Sequence, residues 1–347
     1  MRAFLTGLVL ACLASACLAL PAAAQVTDRT VARCQHGAPD ARIAACTALI
    51  KSGLVRGPSL AAAYGNRGDG LEAKGLHDQA LADYARALAI DPRDPIPYNN
   101  RGLVYMAQGR FDDALDSFNA AIAHGGGRNP VVLANRGEAY LAKGLYDQAL
   151  ADYNSALALN GSLAEAYAGR GAVYKFKGMY DEALADLNKA LALDSNLAAA
   201  YNNRGLVYLD LRRYDEAIAD FDKAIGLPGA NGVVYANRGA AYDAQGHHEQ
   251  AVADFTQAIT LNPQYEVAYN NRGLAYISLG KFDLAIADFT QAIALNPNDG
   301  TPYNNRGEVY EAQSRVAEAI ADFRMALKLD PTLSTARAGL LRLGATP

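Results

Sequence analysis

Residues 98–105 read YNNRGLVY, and the stretch returns as YNNRGLVY at 201–208, YNNRGLAY at 269–276 and YNNRGEVY at 303–310. Two amides beside a guanidinium could be a chemical site or the stamp of a repeat. Aligning the chain on the Arg decides between them. The arginines are Arg67, Arg101, Arg136, Arg170, Arg204, Arg238, Arg272 and Arg306, spaced 34 residues apart with a single step of 35. Such a fixed period marks supersecondary units that share a core with their neighbours.

With each unit numbered so that the Gly after this Arg is position 8, the pattern becomes physical. Tyr holds position 4 in seven copies and position 11 in seven; position 24 is aromatic in seven, Leu187 being the exception. Spacings of three and four between apolar residues describe one helical face. Ala fills positions 20 and 27 in all eight copies. With the Gly at position 8, these small residues let two helix backbones approach closely. Gly at position 15 in six copies suits a left-handed helix cap, and Asp, usual at position 18, suits the first turn of a second helix. A Pro near position 32, as in Asp91-Pro92, Asn262-Pro263, Asn296-Pro297 and Asp330-Pro331, ends that helix. Each unit therefore reads helix, turn, helix, turn.

These residues resemble the tetratricopeptide-repeat family. The stretch YNNRGLAYISLGKFDLAIADFTQAIALNP, from Tyr269 on, follows the family pattern nearly throughout. The resemblance covers 61–333 as eight repeats: 61–94, 95–129, 130–163, 164–197, 198–231, 232–265, 266–299 and 300–333. It implies an all-α solenoid of antiparallel helix pairs stacked into a right-handed superhelix, the first helices lining a concave groove. Solenoids need caps. Residues 334–347 read as a closing helix, with Arg337, Leu340 and Leu341 at the signature positions. In 25–60, an amphipathic helix from Asp40 to Ser52 reads as the N-terminal cap. Two joints are irregular, His124–Pro130 with three glycines and Leu227–Gly232; loop drift and flexing between blocks both remain open there.

The first 24 residues are different material. Met1-Arg2, an apolar run from Phe4 to Leu20 and an Ala-x-Ala site before Gln25 read as a secretory signal peptide. The expectation is a periplasmic or secreted protein, with no membrane insertion after cleavage. Ala14-Ser15-Ala16-Cys17 faintly resembles a lipobox, which makes a lipoprotein through Cys17 the minor alternative. Cys12 and Cys17 leave with the leader. Cys34 and Cys46, twelve apart in an exported chain, read as one disulfide worth about 2–4 kcal/mol. A metal site would need two further ligands, and only His36 lies near; no cofactor is expected. The net charge of −4 becomes −5 once Arg2 leaves, which argues against a nucleic-acid groove.

Nineteen of the twenty tyrosines sit at positions 4, 11, 17 or 24, in register with the helix, and read as core. The arginine at position 7 could grip an anion, but position 23 is Asp in seven copies. The expected structural pairs are Arg67 with Asp83, Arg136 with Asp152, Arg170 with Asp186, Arg204 with Asp220, Arg238 with Asp254, Arg272 with Asp288 and Arg306 with Asp322, within a repeat or across the joint. In the second unit Ser117 stands in that place, after Asp116.

Position 6 is Asn in seven copies, with Gly169 the lapse. Amides can grip an extended backbone whatever its sequence, and the family resemblance implies that this position faces the groove. The candidate peptide-binding amides are Asn99, Asn100, Asn135, Asn202, Asn203, Asn237, Asn270, Asn271, Asn304 and Asn305. The Tyr-Asn-Arg stretch also resembles a subclass that clamps chaperone C-termini. That clamp needs Lys at position 5 and a base at position 9; neither is present. Positions 9 and 12 carry aliphatics beside the doubled amides instead: Leu103, Met106, Leu206, Leu209, Leu274 and Ile277. Acidic residues, Asp69, Glu72, Glu138, Asp243, Glu308 and Glu311, hold the same positions elsewhere.

The five histidines are scattered, with no HExxH spacing, phosphate loop or nucleophile motif. The family often precedes catalytic domains such as glycosyltransferases, yet the array and its caps account for the chain from Cys34 onward. The expectation is a non-enzymatic scaffold for a protein or extended, partly apolar polypeptide. A self-assembling envelope array, or an accessory subunit of an envelope enzyme complex, is the alternative.

Overall fold

The structure is a computed structural model that describes residues 28–229 and 231–346. The leader 1–24, with Cys17, lies outside the described residues. The chain divides into two compact units, one ending at Arg128 and one beginning at Asn129. The division falls inside the first glycine-rich joint. The second joint lies within the second unit.

The first unit holds α1 (Asp28–His36), α2 (Pro39–Ser52), α3 (Pro58–Glu72), α4 (His77–Ile90), α5 (Pro95–Ala107), α6 (Phe111–Ala123) and a 3-10 turn, Gly126–Arg128. The second holds α7 (Pro130–Ala142), α8 (Tyr146–Leu159), α9 (Ala164–Phe176), α10 (Tyr180–Leu193), α11 (Ala198–Asp210), α12 (Tyr214–Ile225), α13 (Gly232–Ala244), α14 (His248–Leu261), α15 (Glu266–Ser278), α16 (Phe282–Leu295), α17 (Gly300–Ala312), α18 (Val316–Leu329) and α19 (Ser334–Arg342). Among the described residues there is no strand, and no helix is long and apolar enough to cross a membrane. Within each unit every helix packs on the next, and successive first helices also touch, α7 on α9 and α9 on α11 for example. Second helices do not pack on one another to a comparable extent. Each stack therefore bends toward its first helices, whose outer faces form the concave side.

The helix bounds follow from local chemistry. Asp94, Asn129, Asn231 and Asp299 cap first helices by accepting the backbone N–H two residues on. Position 15 adopts a positive φ in every repeat, on Gly75, Gly109, Gly144, Gly178, Gly246 and Gly280, and on Arg212 (58°) and Ser314 (60°) where glycine is missing. The turn geometry is thus imposed by packing even where the residue resists it. Second helices stop at an Asx turn: Asp91, Asn160, Asp194, Asn262, Asn296 and Asp330 each accept an N–H two residues on. The two repeats without this turn have Gly125 and Pro228 there. They are the repeats that precede the irregular joints.

Packing explains the invariant residues. The position-20 and position-27 alanines are fully buried, and the position-24 side chains, Tyr84, Phe118, Tyr153, Leu187, Phe221, Phe255, Phe289 and Phe323, are at most 2% exposed. A Cβ on Gly102, Gly205 or Gly273 would fall 2.5–2.7 Å from the position-24 ring of its own repeat. Position 8 is therefore glycine because the ring occupies the space of a side chain. The tyrosines at positions 4 and 11 differ from the sequence expectation. They are half-buried, with their rings about the position-7 guanidinium, as Tyr201 and Tyr208 lie 5.6 and 6.0 Å from Arg204.

The N-terminal cap is more regular than its sequence. α1 packs on α2, α2 on α3 and α1 on α3, which is the contact pattern of a full repeat. The sulfurs of Cys34 and Cys46 lie at bonding distance, 2.07 Å, between α1 and α2, where later pairs stack Gly on a ring. At the other end, α19 covers α18 and α17, with Leu340 buried and Gly339 against the Phe323 ring. Leu341, expected at a signature position, is 65% exposed, because the closing contact is made by its two predecessors.

Candidate functional site

The position-7 arginines occupy the seam between the helices of a pair. In seven repeats Nε donates to one Asp oxygen at 2.6–2.8 Å and Nη2 to the other at 2.7–2.9 Å, joining Arg67 to Asp83, Arg136 to Asp152, Arg170 to Asp186, Arg204 to Asp220, Arg238 to Asp254, Arg272 to Asp288 and Arg306 to Asp322. All these pairs lie within one repeat. The carboxylate bond holds each guanidinium charged, raising its pKa above the ordinary arginine value. The remaining Nη1 reaches the preceding repeat's second helix, as in Arg170 to Asn154 (2.6 Å), Arg204 to Asn188 (2.6 Å), Arg272 to Thr256 (2.9 Å) and Arg306 to Thr290 (2.9 Å). This acceptor at position 25 had no sequence signal until the repeats were superposed. Arg67 makes the same bond to Thr47 of α2, which again places α2 as the second helix of a pair. Arg101 has no carboxylate partner among the described residues; it donates to the Ser117 hydroxyl at 3.1 Å and lies over the Tyr98 ring.

On the concave face the amides tie repeat to repeat. Asn237 Nδ2 donates to Asn202 Oδ1 at 2.8 Å, and Asn305 to Asn270 at 2.9 Å, so a position-6 amide binds the position-5 amide one repeat earlier. Asn100 donates to Asp69 at 2.8 Å, and the Tyr84 hydroxyl donates to the same oxygen at 2.9 Å. Asn304 and Asn305 are buried, 5% and 8% exposed, and Asn304 also accepts from the Thr335 hydroxyl of α19 at 3.0 Å. Asn304 thus belongs to the joint with the closing helix and Asn305 to the joint with the preceding repeat, rather than to an open face. Asn99 and Asn270 donate to their neighbours Asn100 and Asn271 at 3.1 and 3.4 Å. Asn135 and Asn203 line one cavity.

The aliphatic candidates divide by exposure. Leu103 and Leu274 are 38% and 37% exposed. Met106, Leu206, Leu209 and Ile277 are half-buried, Leu206 and Leu209 packing against the cluster of Phe221 and Val234. In α7, α9 and α11 the first-helix face opens into a cavity of about 280 Å³ lined by Asn135, Glu138, Leu141, Tyr153, Glu165 and Asn203 among others. Glu138 is open to water yet walled by protein, and this desolvation raises its carboxyl above the usual range. Among the described residues no group of three or more His, Cys, Asp and Glu side chains is placed to hold a metal.

Tetratricopeptide-repeat profiles match residues 198–227, 233–265, 267–299 and 302–333; related profiles match 68–109 with 176–212, and 99–164. The chain belongs to the tetratricopeptide-repeat family. Solved tetratricopeptide-type folds align along it. One is the Cut9–Hcn1 hetero-tetramer of the APC/C, with a TM-score of 0.67 and 18% identity over 90% of this chain and 64% of that one. This chain thus spans less than two thirds of that relative. A tetratricopeptide-repeat protein from Parabacteroides merdae gives 0.53 and 23% identity over 72% of this chain and 99% of its own. PilW, a type IV pilus biogenesis factor, gives 0.57 and 20% over 61% and 98%. At these identities the likeness is one of fold. No curated protein matches the chain. For a tetratricopeptide-repeat chain, the recurring Tyr, Arg, Gly and Asp are thus accounted for by packing and pairing within the stack, and the variable first-helix positions are the surface left over.

Proposed function

We propose that the chain is a non-catalytic scaffold that holds a segment of another protein, extended, along the first-helix face, and that it works outside the cytoplasm. The observation that carries the reading is the cavity across α7, α9 and α11. It combines amides, aliphatic walls and two carboxylates on the concave side of three successive repeats. Backbone-directed amides give affinity to an extended chain, and the spaces between them give side-chain preference. Export rests on the leader, a basic start followed by an apolar run and a small-residue cleavage site.

The test uses immobilised twelve-residue peptides and the full chain carrying Glu138→Trp, which sets a bulky ring at the wall of that cavity. Glu138 is exposed enough for the change to leave folding intact, whereas half-buried Leu206 is not. The expected result is loss of peptide binding with an unchanged helical circular dichroism spectrum. Undiminished binding refutes the groove. A mature N-terminus other than Gln25 in the exported protein refutes the leader reading.

A further inference from the structure

Gly169 is the one position-6 residue among the eight repeats that is not Asn. A Cβ there would lie 2.4 Å from both Cζ and Oη of Tyr153, the position-24 ring of the preceding repeat. Where that ring is Phe221 or Phe289, the next repeat carries Asn237 or Asn305 at position 6 and the concave face is filled. Here a hydroxyl has been added below and a side chain removed above. The result is the open cavity over Tyr153.

Tyr153 is 2% exposed, yet its hydroxyl has no hydrogen-bond partner among the described residues. The equivalent hydroxyl of Tyr84 is satisfied by Asp69. The ring is buried but the oxygen is not sealed off, so the hydroxyl faces the cavity with its donor and acceptor free for a group that enters from outside. Glu138 and Glu165 stand on the same walls, and among the described residues neither is in an ion pair. Arg136 and Arg170, close to them in sequence, are held by Asp152 and Asp186, and Lys175 on α9 is engaged by Asp210 at 3.4 Å. Leu141 and Leu197 supply apolar wall for a methylene stem, and the Asn203 amide lines the cavity beside them. Two carboxylates repel an anion, and two alone are a poor cage for a metal ion.

We propose that this cavity receives one basic side chain, lysine or arginine, of the polypeptide held on the first-helix face. The proposal rests on the groove reading above and adds what the groove selects. The cation sits between the carboxylates of Glu138 and Glu165, and the Tyr153 hydroxyl and Asn203 carbonyl accept from its remaining N–H groups. A cation beside Glu138 favours its charged form and so opposes the desolvation that raises its carboxyl.

The experiment uses the full chain and an array of twelve-residue Ala/Leu/Ser peptides carrying a single Lys, Arg, norleucine or Glu at each position in turn. One peptide position should favour Lys or Arg over norleucine by about tenfold or more, the effect of one good charge-assisted contact. Glu138→Gln with Glu165→Gln should cut this preference below about twofold and leave norleucine peptides bound as before. Tyr153→Phe with Gly169→Asn reproduces the Phe-and-Asn pairing of the later repeats; once the ring shifts to admit the new Cβ, it should keep the helical spectrum and abolish the preference by filling the cavity. Norleucine peptides that bind as well as lysine peptides overturn the cavity assignment and leave the groove standing. A preference that survives both double variants also overturns it. Failure of every peptide to bind overturns the groove and the cavity together.

Discussion

Replacing Asp220 by Ala isolates the interaction on which each repeat closes. Its carboxylate receives two bonds from Arg204, both 2.7 Å, and the side chains are only 8% and 20% exposed. Removing one partner of a buried hydrogen-bonded pair costs about 3–5 kcal/mol, because the other charge is left desolvated. A fifth of Arg204 reaches water, and Asn188 and two tyrosine rings still face it. The cost should therefore fall at the lower end, about 3 kcal/mol. In a solenoid the loss is shared only with adjoining repeats, so it is best read by native-state hydrogen exchange of the whole chain. Amides of α12 should exchange about 100-fold faster, at 1.4 kcal/mol per decade, while those of α18 hardly change. Arg204→Met with Asp220→Leu removes both charges and should recover most of the loss. Exchange of α12 within about threefold of wild type in Asp220→Ala would refute the reasoning. So would a double variant as unstable as the single one, since packing and not charge would then be at stake.

Ser117→Asp should supply Arg101 with the carboxylate present in the other repeats and stabilise α5 and α6 by about 1–2 kcal/mol, read from a urea midpoint. Arg212→Gly and Ser314→Gly should each stabilise by about 0.5–1 kcal/mol, because φ near +60° suits glycine and strains an L-residue; a loss in either would show that the side chain matters more than the turn. Reducing Cys34–Cys46 should cost about 2–4 kcal/mol in α1 and α2, seen as faster exchange there with α18 unchanged. Glu138→Gln should stabilise the chain at neutral pH and not in acid. Its carboxyl is raised by desolvation, so the folded state resists its ionisation, and stability is lost as pH climbs through the carboxylate range.

Most of the fold is legible in the sequence because each helix boundary has a chemical mark that recurs every 34 residues. Gly at position 15 and Asp at 18 bracket the inner turn. The Asx residue at 31 closes the outer one, and it drops out at the two irregular joints. α1 escaped such a reading because its nine mostly polar residues are few and lie outside the 34-residue pattern; it is held by α2, α3 and the sulfur bridge. The tie from Asn237 to Asn202 was hidden for a different reason. Its partners lie 35 residues apart on faces that meet only after the repeats are stacked. Counting amides along the chain made them all look available, whereas stacking uses several of them internally.

The same contrast bears on where recognition can reside. A residue present in all eight repeats, such as the position-20 Ala, is fixed by a contact that every repeat makes, and cannot tell one stretch of a bound chain from another. Selectivity must come from departures, and each departure has to be tolerated by its neighbour. Leu187 replaces the aromatic ring and remains buried, so that change is absorbed inside the core and presents nothing new to the face. Gly169 is of the other kind. The tip of the Tyr153 ring, Cζ as well as Oη, takes the space of a Cβ at Gly169, and the missing side chain opens the concave face instead of repairing the core. A pair of substitutions that keeps the stack intact while exposing a buried polar atom has no stabilising purpose within the fold. That is the physical ground for placing selectivity at the third-to-fifth repeats rather than at the doubled amides.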